Sequence, residues 1–128
     1  TLPGSPCIYD GTEIAMEGGF DPDCRRCMPW DEIGSEENQE KIGLMRRLIR
    51  MRREEEACRS PHFHFQNTYP DSRCVEYIKL DDENRKIEVV LNCSGEPMEV
   101  PEGGEILFSR NYDRGILGKN GTLIRNIS

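Results

Sequence analysis

The chain has no apolar run near the roughly 20 residues that a membrane-spanning helix needs. Its first residues also lack the charged-then-apolar layout of a signal peptide. Both absences lead to the expectation of a soluble protein without a membrane partner. Basic charge is scarce too: 17 lysines and arginines stand against 24 aspartates and glutamates, for a net charge of −7. That balance excludes nonspecific attraction to nucleic acid or anionic lipid and leaves a neutral ligand or another protein as partner. The six cysteines, at 7, 24, 27, 58, 74 and 93, do not form the dense framework that staples small secreted domains. Reduced thiols in a cytoplasm are the expectation. No internal repeat or low-complexity tract is present, and no initiator methionine precedes Thr1, as suits a processed or excised segment.

What is there supports a lean core. Hydrophobic residues make up 35% of the 128 residues and charged residues 32%, so any orphaned apolar segment would matter. Cys7-Ile8-Tyr9, set between Pro-Gly-Ser-Pro and Asp-Gly, reads as a short buried parallel strand, which needs neighbours on both sides. Residues 10 to 34 are rich in glycine, proline, aspartate and arginine without periodicity and form a long loop. Ser35 stands at a helix N-cap, followed by Glu36, Glu37 and Glu40, whose charges suit the positive end of the helix dipole. Ile42, Met45 and Ile49, with Leu44 and Leu48 beside them, fall at helical spacing, while Lys41, Arg46, Arg50 and Arg53 occupy a solvated face. Pro61 ends the helix near Arg59-Ser60.

Beyond residue 60 the period becomes nearly alternating. Strands are expected at residues 62–65, 74–80, 86–91, 105–109 and 122–127. Reversals are expected at Asp81-Asp82-Glu83-Asn84, Ser94-Gly95, Glu102-Gly103-Gly104 and Asn120-Gly121. Close spacing of such strands indicates an antiparallel β-sandwich or a similar sheet. Sequons at Asn92, Asn120 and Asn126 would matter only in a secretory pathway.

Two linked motifs carry a resemblance. Leu2-Pro3-Gly4-Ser5-Pro6-Cys7-Ile8-Tyr9, continuing through Gly11, Glu13-Ile14 and Glu17-Gly18, resembles the eighth barrel strand of the α-amylase superfamily, glycoside hydrolase family 13. Asp21-Pro22-Asp23-Cys24-Arg25-Arg26, then Met28-Pro29-Trp30, is similar to the loop after that strand in the neopullulanase, cyclomaltodextrinase and maltogenic amylase branch. The chain departs from the family at Asp10 and Thr12, where a tyrosine and an aspartate are usual, and at Cys27, where proline is usual.

The resemblance implies an α+β fragment: the last strand and helix of a (β/α)8 barrel over residues 1–59, then an antiparallel β-sandwich C-terminal domain over residues 60–128. It implies a C-terminal region of an α-glucan-hydrolysing glycosidase. Asp21 and Arg25 would line the donor-side sugar subsites, with an α-glucan or maltooligosaccharide bound by the full-length parent. Active sites of such barrels lie at the C-terminal ends of the strands, so the loop leaving strand eight faces the cleft. Carboxylate and guanidinium groups can each hold two adjacent sugar hydroxyls, and an indole can pack on the apolar face of a pyranose. Trp30 is therefore either a sugar platform or a loop anchor, and Asp21 and Arg25 can equally pair as an ordinary loop-ordering salt bridge.

Retaining hydrolysis needs two carboxyl groups about 5 Å apart. In the family these are an aspartate after strand four and a glutamate after strand five, joined by a stabilising aspartate after strand seven, and all three fall upstream of Thr1. No catalytic residue, cofactor or metal is assigned, and the chain alone is expected to be inactive. Cys24-Arg25-Arg26-Cys27 lacks the second ligand pair of a structural zinc and the helix start of a thioredoxin-like motif. His62 and His64 read as surface residues of an edge strand. The alternative function is a noncatalytic β-sandwich module that binds carbohydrate or shields the barrel. The apolar face of Ile8, Ile42, Met45 and Ile49 needs cover, from the β domain or from a second copy in a homodimer.

Overall fold

The computed structural model describes residues 1–66, 68, 69 and 73–128. These form two compact units, one of residues 5–50 and one of residues 1–4 with 51–128.

In the 5–50 unit, residues 7–9 join no ladder, so the expected strand is absent. A parallel strand exists only through hydrogen bonds to its neighbours. Without them Ile8 is 45% and Tyr9 55% exposed. The loop from residue 10 to 34 is irregular apart from two short 3-10 turns, Thr12–Ile14 and Asp23–Arg25. Helix α1, Glu36–Glu54, begins in this unit. Ser35 caps it, its Oγ accepting the Asn38 amide at 3.3 Å, and Glu37 pairs with Lys41 one turn on at 2.7 Å. Of the whole helix only Met51 is buried, and Ile42, Leu44, Met45 and Leu48 are partly covered.

The other unit starts where α1 ends. The helix stops at Glu54, a little before the expected limit, and a 3-10 turn follows at Glu56–Cys58. Arg59 donates to the Arg52 and Arg53 carbonyls, satisfying acceptors that a helix end leaves open. Arg52 in turn reaches the carbonyls of Leu2, Gly4 and Cys58, tying residues 2–4 to this unit.

Six antiparallel strands form one hydrogen-bonded sheet: β1 Phe63–Phe65, β2 Cys74–Leu80, β3 Lys86–Asn92, β4 Met98–Glu99, β5 Glu105–Asp113 and β6 Ile116–Asn126. β1, β2, β3 and β6 lie in that order; β5 runs along β6, whose remaining side is shared between β3 and β4. Five strands match expected segments. β4 was not foreseen, and β6 begins six residues earlier than expected. The reversal expected at Asn120-Gly121 lies inside β6; the chain turns instead at Arg114-Gly115, both at positive φ, 41° and 79°. Asn120 does take a positive φ of 50°, but it serves an irregularity in the β5–β6 ladder rather than a hairpin.

Adjacent residues Val89 and Val90 of β3 are both buried, so the sheet is covered on both faces there. Val90 joins Val100, Leu117 and Leu123 in a core cluster. Ala57 and Cys58, on the 3-10 turn that packs against β2 and β3, are buried with Tyr77, Ile87 and Val89. Lys79 is also fully buried; its ammonium donates to the Cys58 and Ser60 carbonyls, and burial pushes its pKa down. Arg125 pairs with Glu88 and donates to the Pro101 and Gly103 carbonyls, fastening the segment before β5 to the sheet.

Candidate functional site

The loop of the 5–50 unit that carries the expected sugar ligands is built on two interleaved ion pairs. Asp23 organises it. Its carboxylate takes the Gly19 amide at 2.7 Å and both Nε and Nη2 of Arg26 at 2.6 Å, while its own amide donates to the Phe20 carbonyl at 2.8 Å. The Arg26 guanidinium, then the Gly19 amide, hold the Asp23 carboxyl below its usual range. Gly18 and Gly19 permit this closure: a Cβ at Gly18 would come within 3.2 Å of the Cys24 Cα, and one at Gly19 within 2.8 Å of Asp23 Oδ2.

The second pair joins Arg25 Nε to Asp21 Oδ1 at 2.8 Å, and the Cys24 thiol also approaches that oxygen at 3.8 Å. The loop-ordering pairing that the sequence left open is thus formed. Both side chains remain more than 60% exposed, so the pair is open to further hydrogen bonds. Trp30 is 77% exposed. Sequence reasoning passed over Asp23 and Arg26 as a pair, although their spacing of three residues across a turn is the legible signal.

Two hollows lie in the same unit. One, of about 580 Å³, is lined by Glu17, Arg26, Glu32, Ser35, Asn38 and Lys41 among others, and does not include Asp21, Arg25 or Trp30. The other, of about 490 Å³, is an open groove whose apolar lining is Ile8, Tyr9, Ile42, Met45 and Ile49. Residues 8–9 and α1 therefore share one apolar surface, although no strand forms there.

Among the described residues no three histidine, cysteine or acidic side chains gather as metal ligands. All six cysteines are free thiols, and His62 and His64 are exposed at the sheet edge. The Asn92 sequon is interior: Asn92 is 2% exposed, with its amide nitrogen at 2.8 to 3.0 Å from the Glu96, Leu117 and Gly118 carbonyls and its oxygen taking the Ser94 amide. No described helix is long and apolar enough to cross a membrane.

Known proteins supply the context. No family model matches the chain. The cyclomaltodextrinase of a Bacillus species is 38% identical over 89 residues, covering 70% of this chain and 15% of that protein. Neopullulanase 2 of Thermoactinomyces vulgaris is 36% identical over 134 aligned positions, covering 96% of this chain and 21% of that protein. This chain belongs to glycoside hydrolase family 13. Within the family it groups with cyclomaltodextrinases, maltogenic amylases and neopullulanases, and it spans about a fifth or less of the length of these relatives. The fold is shared with the trehalulose synthase MutB of Pseudomonas mesoacidophila, at a TM-score of 0.60 and 19% identity, over 82% of this chain and 20% of that one. The family 13 chain is thus an α+β piece, one long helix followed by an antiparallel sheet.

Proposed function

We propose that this chain is the C-terminal region of an α-glucan-hydrolysing glycosidase and supplies one wall of its sugar-binding groove without the groups that break the bond. The observation that carries this is the exposed Asp21–Arg25 pair, held by a loop that Asp23 and Arg26 lock. A carboxylate and a guanidinium side by side offer acceptors and donors to adjacent sugar hydroxyls, and the exposed indole of Trp30 offers a surface for the apolar face of a pyranose. The ligand is an α-glucan or maltooligosaccharide, in keeping with the names of the relatives. Residues 1–59 are the end of a catalytic barrel, and residues 60–128 are its C-terminal β domain. Burial of β3 on both faces supports a sandwich arrangement of that domain.

Hydrolysis belongs to the rest of the parent enzyme. There an acid/base and a nucleophile flank the scissile bond about 5 Å apart, and this chain contributes position rather than bond chemistry. The protein works in the cytoplasm, where its free thiols stay reduced. A β domain that binds glucan by itself is the lesser reading. The rings of Phe63, Phe65 and Tyr77 meet edge-on at 76° to 79°, a packing cluster rather than a flat platform. Affinity electrophoresis in amylose gels tests the proposal. Retardation of the whole chain that is lost in Asp21→Ala supports it, and retardation untouched by Asp21→Ala and Arg25→Ala overturns it.

A further inference from the structure

We infer that Phe20 is a sugar-stacking residue of the same site, its ring covered by the apolar C–H face of a pyranose whose hydroxyls meet Asp21 and Arg25. This rests on the reading of that pair as sugar ligands. Among the four phenylalanines Phe108 is 7% exposed, Phe63 is partly covered and Phe65 is 67% exposed, but Phe20 is 98% exposed. Leaving a phenylalanine in water forgoes the free energy that burying its ring would supply.

The segment that presents it is not loose. The Phe20 carbonyl takes the Asp23 amide at 2.8 Å, the Gly19 amide donates to Asp23 at 2.7 Å, and Asp23 is clamped by Arg26. A Cβ at Gly18 would crowd the Cys24 Cα, and one at Gly19 would press on the Asp23 carboxylate that holds the turn. A held backbone thus displays an uncovered ring one residue before Asp21 of the Asp21–Arg25 pair.

The surroundings select the occupant. Glu17, Asp21, Asp23, Arg25 and Arg26 all lie within six residues of the ring. An apolar protein surface seated on Phe20 would strip water from these charges without replacing its hydrogen bonds, a costly exchange. A pyranose does not have that defect. Its C–H face covers the ring while its hydroxyl rim satisfies the charged groups around it, as ring recognition by mixed apolar and polar groups requires.

The test is a titration of the whole chain with maltotriose, followed by NMR of carbon-labelled phenylalanine rings. The Phe20 resonances are expected to shift saturably while those of Phe65 stay put. Phe20→Ala should weaken the dissociation constant about tenfold and Phe20→Trp should restore it, with Phe65→Ala without effect. Unchanged affinity in Phe20→Ala, with binding lost in Asp21→Ala, overturns the role of Phe20 and leaves the Asp21–Arg25 reading standing. Weakening in Phe20→Ala with full binding in Asp21→Ala and Arg25→Ala overturns the pair as sugar ligands, and with it the site inferred here, leaving only a sugar contact at Phe20. Absence of maltotriose binding by the wild-type chain overturns both.

Discussion

Single polar residues fix the turns of this molecule, and two of them give direct expectations. Asn92 is buried and spends its side chain on the β3–β4 connection, where its oxygen accepts both the amide and the hydroxyl of Ser94, and on the backbone of β6. Asn92→Ala strands those carbonyls, and a loss of about 2 to 3 kcal/mol in urea unfolding is expected. Asp81 is desolvated, which by itself raises its pKa. The hydrogen bonds from the Arg85 amide and guanidinium and from the Glu83 amide outweigh that, and the pKa is lowered overall. A lowered carboxyl contributes stability above its unfolded value of about 3.9, and that contribution fades as pH falls through the folded value. The stability advantage of wild type over Asp81→Asn should therefore shrink below about pH 4 in unfolding curves taken at a series of pH values. At this scale the sequence was legible for Asp81 as a turn former and silent on Asn92. Its sequon says nothing of burial, and only the three-dimensional fold brings the β6 carbonyls to it.

At the scale of elements, local chemistry carried far where periodicity and caps agree. Ser35 as N-cap and the limits of β2 follow from residue type alone, because capping and alternation are local signals. The expected strand at residues 7–9 was not found, because the pattern describes a strand whose partners are other strands. The hairpin at Arg114-Gly115 was hidden for another reason: arginine is a rare choice at positive φ, whereas Asn120-Gly121 looks like a turn and is an irregularity within β6. Gly121 is needed there, since a Cβ would sit 2.7 Å from the Gly118 carbonyl oxygen and from Leu117 Cδ1. Gly43 in α1 has nothing within 4 Å. The two glycines should respond oppositely in thermal unfolding. Gly121→Ala is expected to destabilise by about 1 to 3 kcal/mol and Gly43→Ala to stabilise by about 0.5 to 1 kcal/mol.

For the whole molecule, the family was legible in residues 2–30 because two linked motifs at matching spacing are a far more specific signal than either alone. The state of assembly was not. The groove between residues 8–9 and α1 keeps Ile8 and Ile49 at 45% and 40% exposure, an apolar surface that a second copy can cover. A concentration-dependent dimer is expected in sedimentation equilibrium, and Ile49→Glu should return it to monomer. A wild-type chain that stays monomeric at high concentration contradicts that expectation.

The central claim is that Asp21, Arg25 and Trp30 form a sugar-holding wall, and the molecule contains its own reporter, since Trp30 is its single tryptophan. Titration of tryptophan fluorescence with maltotriose is the most direct measurement. A saturable change that disappears in Asp21→Ala is the predicted result; a flat titration, or one identical in wild type and Asp21→Ala, would contradict the account.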